Sequence, residues 1–281
     1  MPPGATPRRS PGSSPARGSI ACRLRPATAR GVTPGPRGFC RTLPLGSARN
    51  RIKKTRALLR LARPGLSDKH YRRRNRALRD TGRAMSETRD ADVLVETIDD
   101  LAERYAGQRP KTTFTRIRGR LQTKPAADAS THADALRALA GEPWPLGDLG
   151  PDDLAASLRR TYARGRKAFA TADHAPTTAN LHEWRKRVKD LWYQQRLLEQ
   201  TWPGVMKAQA KEAKRLSKLL GADHDLAVLA EHVDDPDLTE LIDTRRAELL
   251  AEARELGRRV YAERPQAFAR RARRYVTLTA A

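Results

Sequence analysis

The residues of this sequence whose types and spacing point to chemistry are cations. Arg49, Lys53, Arg56 and Arg60 step along the chain by four, three and four residues, and Arg72, Arg76, Arg79 and Arg83 follow nearly the same rhythm. Lys207, Lys211, Lys214 and Lys218 repeat it, and His182, Arg185, Lys189, Tyr193 and Arg196 form a fourth set. At about 100° per residue, each of these sets falls within an arc of roughly 60–80° on one helix face. Each is therefore a rod of positive charge. On a single helix such a face is ordinarily just solvated. However, like charges one turn apart repel by a few tenths of a kcal/mol per pair, and few acids stand between them here. A solvated face normally alternates sign. Four sets in phase point instead to a shared anion-binding surface, with Arg supplying bidentate forks and Lys point charges.

The anion is narrowed by what accompanies the cations. Reading of nucleic-acid sequence needs side chains on base edges, and single-strand binding needs aromatic platforms. Tyr71, Trp184, Trp192 and Tyr193 are the few aromatics among the stripes, and no nucleic-acid motif is visible. Rods of cations without stacking partners suit a linear polymer that is phosphate throughout. RNA or DNA binding stays as the alternative. A third reading, a metal-dependent phosphohydrolase, rests on the His224-Asp225 doublet. His182 and His224 otherwise have no His, Cys or carboxylate one turn away to complete a ligand pair, so no metal, cofactor or catalytic residue is assigned. His182 is expected to be a phosphate donor, strengthened when protonated, the alternative being a histidine bonded within a helix interface. Asp90 and Asp225 are expected to cap helices, and Asp99, Asp100, Asp234 and Asp235 to be solvated.

The elements that must carry these side chains are helices. The chain holds 56 Lys+Arg against 32 Asp+Glu, a net charge of +24, with 38% hydrophobic and 5% aromatic residues. Charge of this size implies a polyanionic partner and says nothing about fold. No apolar run is long enough to cross a membrane, and two cysteines, Cys22 and Cys40, exclude a disulfide scaffold or a Cys-ligated zinc site. Residues 1–50 contain nine Arg, nine Pro and seven Gly and no acid, so they read as a disordered leader. An upstream or out-of-frame start in a GC-rich bacterial genome, a basic tail and a targeting segment are the readings of that leader. From residue 51 the apolar residues recur with helical period, as in Leu58, Leu59, Leu61 and Ala62. Nothing alternates as a strand would. Helices are expected over 152–169, from a cap at Thr178 or Asn180 to Gln200, over 205–220 ending at Gly221 as a left-handed C-cap, and over 225–233, 236–262 and 266–275. Residues 107–150 are broken by prolines, with one short helix at 131–140.

A shift of 136 residues sets Arg49, Lys53, Arg56 and Arg60 against Arg185, Lys189, Trp192 and Arg196, and a shift of 135 sets the second stripe against the third. The expected architecture is all-α, with two pseudo-symmetric helical halves from an internal repeat around a basic central cleft. A leader over 1–50 precedes a helical domain over 51–275, made of a first repeat over about 51–106, a connector over 107–151 and a second repeat over about 152–262.

The segment Leu181-His182-Glu183-Trp184-Arg185-Lys186-Arg187-Val188-Lys189, followed by Tyr193, resembles the CHAD family, the conserved-histidine α-helical domain. Leu219-Leu220-Gly221-Ala222-Asp223-His224-Asp225 through Leu229 resembles the family's later Leu-Gly…Asp segment, and Thr88-Arg89-Asp90-Ala91-Asp92-Val93-Leu94 its counterpart in the first repeat. Trp144-Pro145-Leu146 and Leu158 to Tyr162 are similar to its middle region. The resemblance covers roughly 51–260. It implies a two-fold pseudo-symmetric helical domain whose basic cleft, His182 and His224 included, binds inorganic polyphosphate without catalysis, in the cytoplasm and in association with polyphosphate granules. One position departs: Gly46 stands where the second repeat has His182, although Arg49 still matches Arg185. No Glu-x-Glu-x-Lys of the triphosphate tunnel enzymes occurs.

Overall fold

Prolines set where most helices of the second half begin, because a first-turn N–H needs no intrahelical partner and the proline φ is already helical. The computed structural model describes residues 45–84, 90–108, 111–122 and 144–280. Along them run α1 (Leu45–Leu61), a 3₁₀ turn (Arg63–Gly65), α2 (Asp68–Ala84), α3 (Asp90–Arg104), α4 (Lys111–Gln122) and α5 (Pro151–His174). Then follow α6 (Thr178–Leu197), a 3₁₀ turn (Glu199–Thr201), α7 (Pro203–Ala230), α8 (Pro236–Val260) and α9 (Pro265–Ala280). No strand occurs among the described residues, and the fold is an all-α bundle. The helix expected at 131–140, both cysteines and residues 1–44 lie outside them.

Local chemistry explains the helix starts. The Asp153 carboxylate accepts the Gly150 N–H at 3.0 Å, Thr177 caps α6 by accepting the Asn180 N–H at 3.2 Å, and Asp235 caps α8 by accepting the Leu238 N–H at 3.2 Å. The cap of α6 is thus one residue ahead of the expected Thr178, and Asp235 is a cap rather than a solvated acid. α1 begins at Leu45, ahead of the boundary expected at 51. α4 lies where prolines suggested irregular chain. Phe114, Ile117 and Leu121, at i, i+3 and i+7, are buried on its inner face, a signal that outweighs the flanking breaks.

The largest correction concerns α7. Gly221 does not end a helix, and Asp225 does not start one. The helix runs unbroken for 28 residues, roughly 42 Å at 1.5 Å per residue. Its first half enters a core of Tyr162, Trp184, Leu191, Leu216, Leu256 and Phe268, and its second half a core of Leu94, Ile98, Phe114, Ile117, Leu229 and Ile242. Burial on both sides holds the glycine in helical geometry against its low propensity. The expected repeat is consequently not carried over helix for helix. α2 and α3 are separate helices, whereas their alignment partners share α7.

Close approaches lock the second-half core. The Tyr162 hydroxyl donates to the Val260 carbonyl at 3.0 Å and accepts the Glu263 N–H at 3.2 Å, tying α5 to the α8–α9 corner. At Gly257 a Cβ would sit 2.7 Å from the Trp184 ring and 2.9 Å from that of Phe169. Neither ring is a flexible chain end, so Gly257→Ala is expected to destabilise the protein by about 1–3 kcal/mol, as overpacked cores do. Thermal unfolding checks this; an unchanged or raised midpoint would show that the rings yield freely.

Candidate anion-binding cleft

Helices α1, α3, α6, α7 and α8 enclose a cleft of about 1200 Å³. One wall is cationic. α6 presents Arg185, Lys189 and Arg196 to it, and the adjoining face of α7 presents Lys214 and Lys218. The helical period places these side chains on one side of each helix, while Trp184, Val188 and Leu191 on α6 and Leu216 and Leu220 on α7 anchor the opposite side in the core. Arg185 lies over Gly221, where a Cβ would come within 3.1 Å of its guanidinium. The glycine therefore admits the arginine against the helix backbone, and Asp225 stands 3.9 Å from that guanidinium. Between the cations sit Trp192 and Tyr193, stacked at 4.4 Å, with the Lys214 ammonium 5.9 Å from the Trp192 ring.

The opposite wall is different. α3 contributes Glu96, Asp100 and Glu103, spaced i, i+4 and i+7 so that all three carboxylates share a face. Arg104 of α3 and Arg245 of α8, both on the rim, each pair with Glu248 at 2.7 Å. The cleft is thus basic along α6–α7 and acidic along α3.

The structure brings together Arg185, Lys189, Tyr193, Arg196, Lys214 and Lys218 of the residues expected from sequence. Lys207 and Lys211 are exposed on the preceding turns of α7, outside the cleft. From α1 the lining residues are Asn50 and Lys54, not Lys53, Arg56 and Arg60. The α1 register is displaced because Arg60 turns to α6 and pairs with Asp190 at 2.7 Å. Burial beside it, and then the neighbouring Arg60, pull the Arg56 guanidinium below its ordinary value. Arg49 lies on α1, its side chain outside the described residues. The α2 stripe does not reach the cleft: Arg72 and Arg76 line a separate groove, Arg79 pairs with Asp80 at 2.9 Å and Arg83 is exposed. Four stripes therefore do not converge on one surface; Arg185, Lys189 and Arg196 of α6 and the Lys214–Lys218 half of the α7 stripe do.

The expected solvated acids also bridge helices. Asp99 binds Arg118 at 2.9 Å, Asp234 binds Arg120 at 3.1 Å and Asp235 binds Arg116 at 2.9 Å, fastening α4 to its neighbours. Asp100 lines the cleft. Reasoning from sequence missed Lys54, Arg245 and the α3 carboxylates; the i, i+4, i+7 spacing of Glu96, Asp100 and Glu103 was the available signal. Among the described residues, no group of three His, Cys, Asp or Glu side chains comes together as a metal site. No described helix is long and apolar enough to cross a membrane.

His182 and His224 face each other, ring centroids 4.6 Å apart, beside Arg185 rather than on the cleft lining. Burial, then Lys186, His224 and Arg185, push His182 down to about 4, and burial followed by Arg185 lowers His224 as well. Protonation therefore does not strengthen His182 near neutrality, contrary to expectation. Because the folded values lie below the unfolded ones, the unfolded chain takes up protons first on acidification. Stability is expected to be fully present above pH 6.5 and to fall as pH drops toward about 4. His182→Gln should flatten that fall in melting experiments; an unaltered slope would assign it to other groups.

The family model of the CHAD domain matches residues 44–234. The chain belongs to the CHAD family. The match opens at the start of α1 and closes just before α8, so this CHAD domain includes the cationic wall of α6 and α7, while Arg245 comes from beyond the matched residues. No curated protein and no solved structure matches the chain.

Proposed function

We propose that the cleft binds inorganic polyphosphate and does not turn it over, as part of a cytoplasmic protein that associates with polyphosphate granules. The observation that carries this reading is the α6–α7 wall, where Arg185, Lys189, Arg196, Lys214 and Lys218 line one side of a single cleft. Membership of a family associated with polyphosphate supports it. A narrow phosphate chain can lie along that wall, with the cations spaced by single helical turns, and remain away from the α3 carboxylates. Each phosphate neutralised releases counterions, so affinity should fall steeply with salt. His182 is already neutral in this range, its pKa pushed down to about 4 by burial first of all. Affinity is therefore expected to be flat between about pH 6 and 8.

The Trp192–Tyr193 stack is the observation that favours the rival, a nucleic-acid site, since aromatic faces hold bases. Competition decides between them. Polyphosphate is expected to displace bound RNA and DNA from the protein at moderate salt. Nucleic acid that resists displacement would overturn the polyphosphate reading. Phosphate release that depends on added Mg²⁺ or Mn²⁺ and is abolished by His224→Ala would overturn the absence of catalysis.

A further inference from the structure

The α2 stripe, turned away from the cleft, is the strongest charge feature that the proposed cleft leaves unused. Within its 17 residues α2 carries seven Lys or Arg and two Asp. Lys69, Arg72, Arg73 and Arg76, together with Asp68 and Asp80, line a groove of about 650 Å³ on its exposed face, and Arg79 and Arg83 continue the same row. The two acids are already engaged: Asp68 is bound by Arg63 and lies 3.8 Å from Arg72, and Asp80 is held by Arg79. The underside is where the helix packs, with Arg74 buried over Trp144 at 5.2 Å and Leu78 joining Ile52, Leu59 and Leu66.

We infer that this face is a second docking surface for the same phosphate polymer, so that one long chain is held at two places. The inference rests on the reading of the cleft as a polyphosphate site. Three observations select the occupant. Among the described residues, the groove lining contains no aromatic and no exposed large apolar side chain. That removes the stacking platforms a single-stranded nucleic acid uses and the buried apolar face by which an interfacial helix enters a membrane. The cations themselves match a chain that is anionic along its whole length. Finally, α2 packs on α1, whose Asn50 and Lys54 line the cleft. The two surfaces are thus carried by neighbouring packed helices, whose axes lie about 8–10 Å apart. A short phosphate chain fills only the cleft. A long chain reaches both, and its second attachment is intramolecular, so the gain in affinity needs no new contact in the cleft.

Tripolyphosphate and a long polyphosphate, of roughly 100 phosphates, are the probes, measured at about 0.15 M salt, where the Debye length of about 8 Å isolates the two surfaces. The double variant Arg72→Glu/Arg76→Glu is expected to weaken long-chain binding tenfold or more and to leave tripolyphosphate binding unchanged. Arg72→Gln/Arg76→Gln should give a smaller, still length-dependent loss. All four substitutions are on an exposed face, and unaltered melting would exclude misfolding. Equal losses for both lengths, or no loss for the long chain, would overturn the two-surface inference while leaving the cleft reading intact. A variant that loses duplex DNA but keeps long polyphosphate would also overturn it. A wild-type protein that binds neither probe would overturn both readings.

Discussion

Replacing Lys189, Arg196, Lys214 and Lys218 together with alanine is expected to lower polyphosphate affinity by about 10³–10⁴-fold. In the proposed complex each would provide a charge-assisted contact to a phosphate oxygen, worth about tenfold, and all four line the cleft from adjacent helices. The slope of log affinity against log salt should become shallower by nearly one for each cation removed. Alanine suits the interior of α6 and α7, so helicity and melting should stay close to wild type. The comparison that separates structure from sequence is Lys211→Ala. Sequence spacing sets Lys211 in the same stripe as Lys214 and Lys218, but it is outside the cleft, and its loss should cost less than that of any of the four. Titration calorimetry across a salt series checks all of this. A quadruple variant within tenfold of wild type would mean the polymer does not lie on the α6–α7 wall.

The second large effect is on stability. Asp190 is nearly enclosed, with its carboxylate 2.7 Å from Arg60 and 3.5 Å from Arg187. Burial raises its pKa, while Arg60, Arg187 and Arg56 act in the opposite sense. One carboxylate therefore stands among three guanidiniums from α1 and α6, and nearby the Gln194 amide donates to the Ala57 carbonyl at 3.3 Å. Removing one partner of a buried pair leaves uncompensated charge, which typically costs about 3–5 kcal/mol. Asp190→Ala is expected to lower Tm by about 10 °C in a chain of this size. The loss should be largest at low salt, where Arg56, Arg60 and Arg187 repel least screened. Restoring stability by adding Arg60→Leu would confirm that stranded charge, not lost packing, is responsible. A single variant with wild-type melting would show that α1 is held by its apolar face alone.

That ion pair also shows where sequence reasoning stopped. Arg49, Lys53, Arg56 and Arg60 are a rod of cations by spacing, and spacing is all a sequence displays. Whether the rod faces a ligand or a neighbouring helix depends on a carboxylate 130 residues away. Such pairing at long sequence separation leaves no local periodicity to detect. Gly221 is a similar case. A glycine at the end of an apolar run reads as a C-cap, because local propensity favours it. In the fold, two cores hold α7 straight and Arg185 occupies the space a side chain would fill.

The sequence by itself determined the helical class, the CHAD resemblance, the excess of positive charge and the phase of each cationic stripe. These follow from composition and a period of 3.6 residues, which are properties of short segments. Only the tertiary structure decided which stripes meet. It set α6 beside α7, opposed them with the acidic face of α3, engaged part of the α1 stripe in ion pairing with α6 and turned α2 outward. The direction a charged face points is fixed by what the opposite face buries, and that depends on partners distant in sequence.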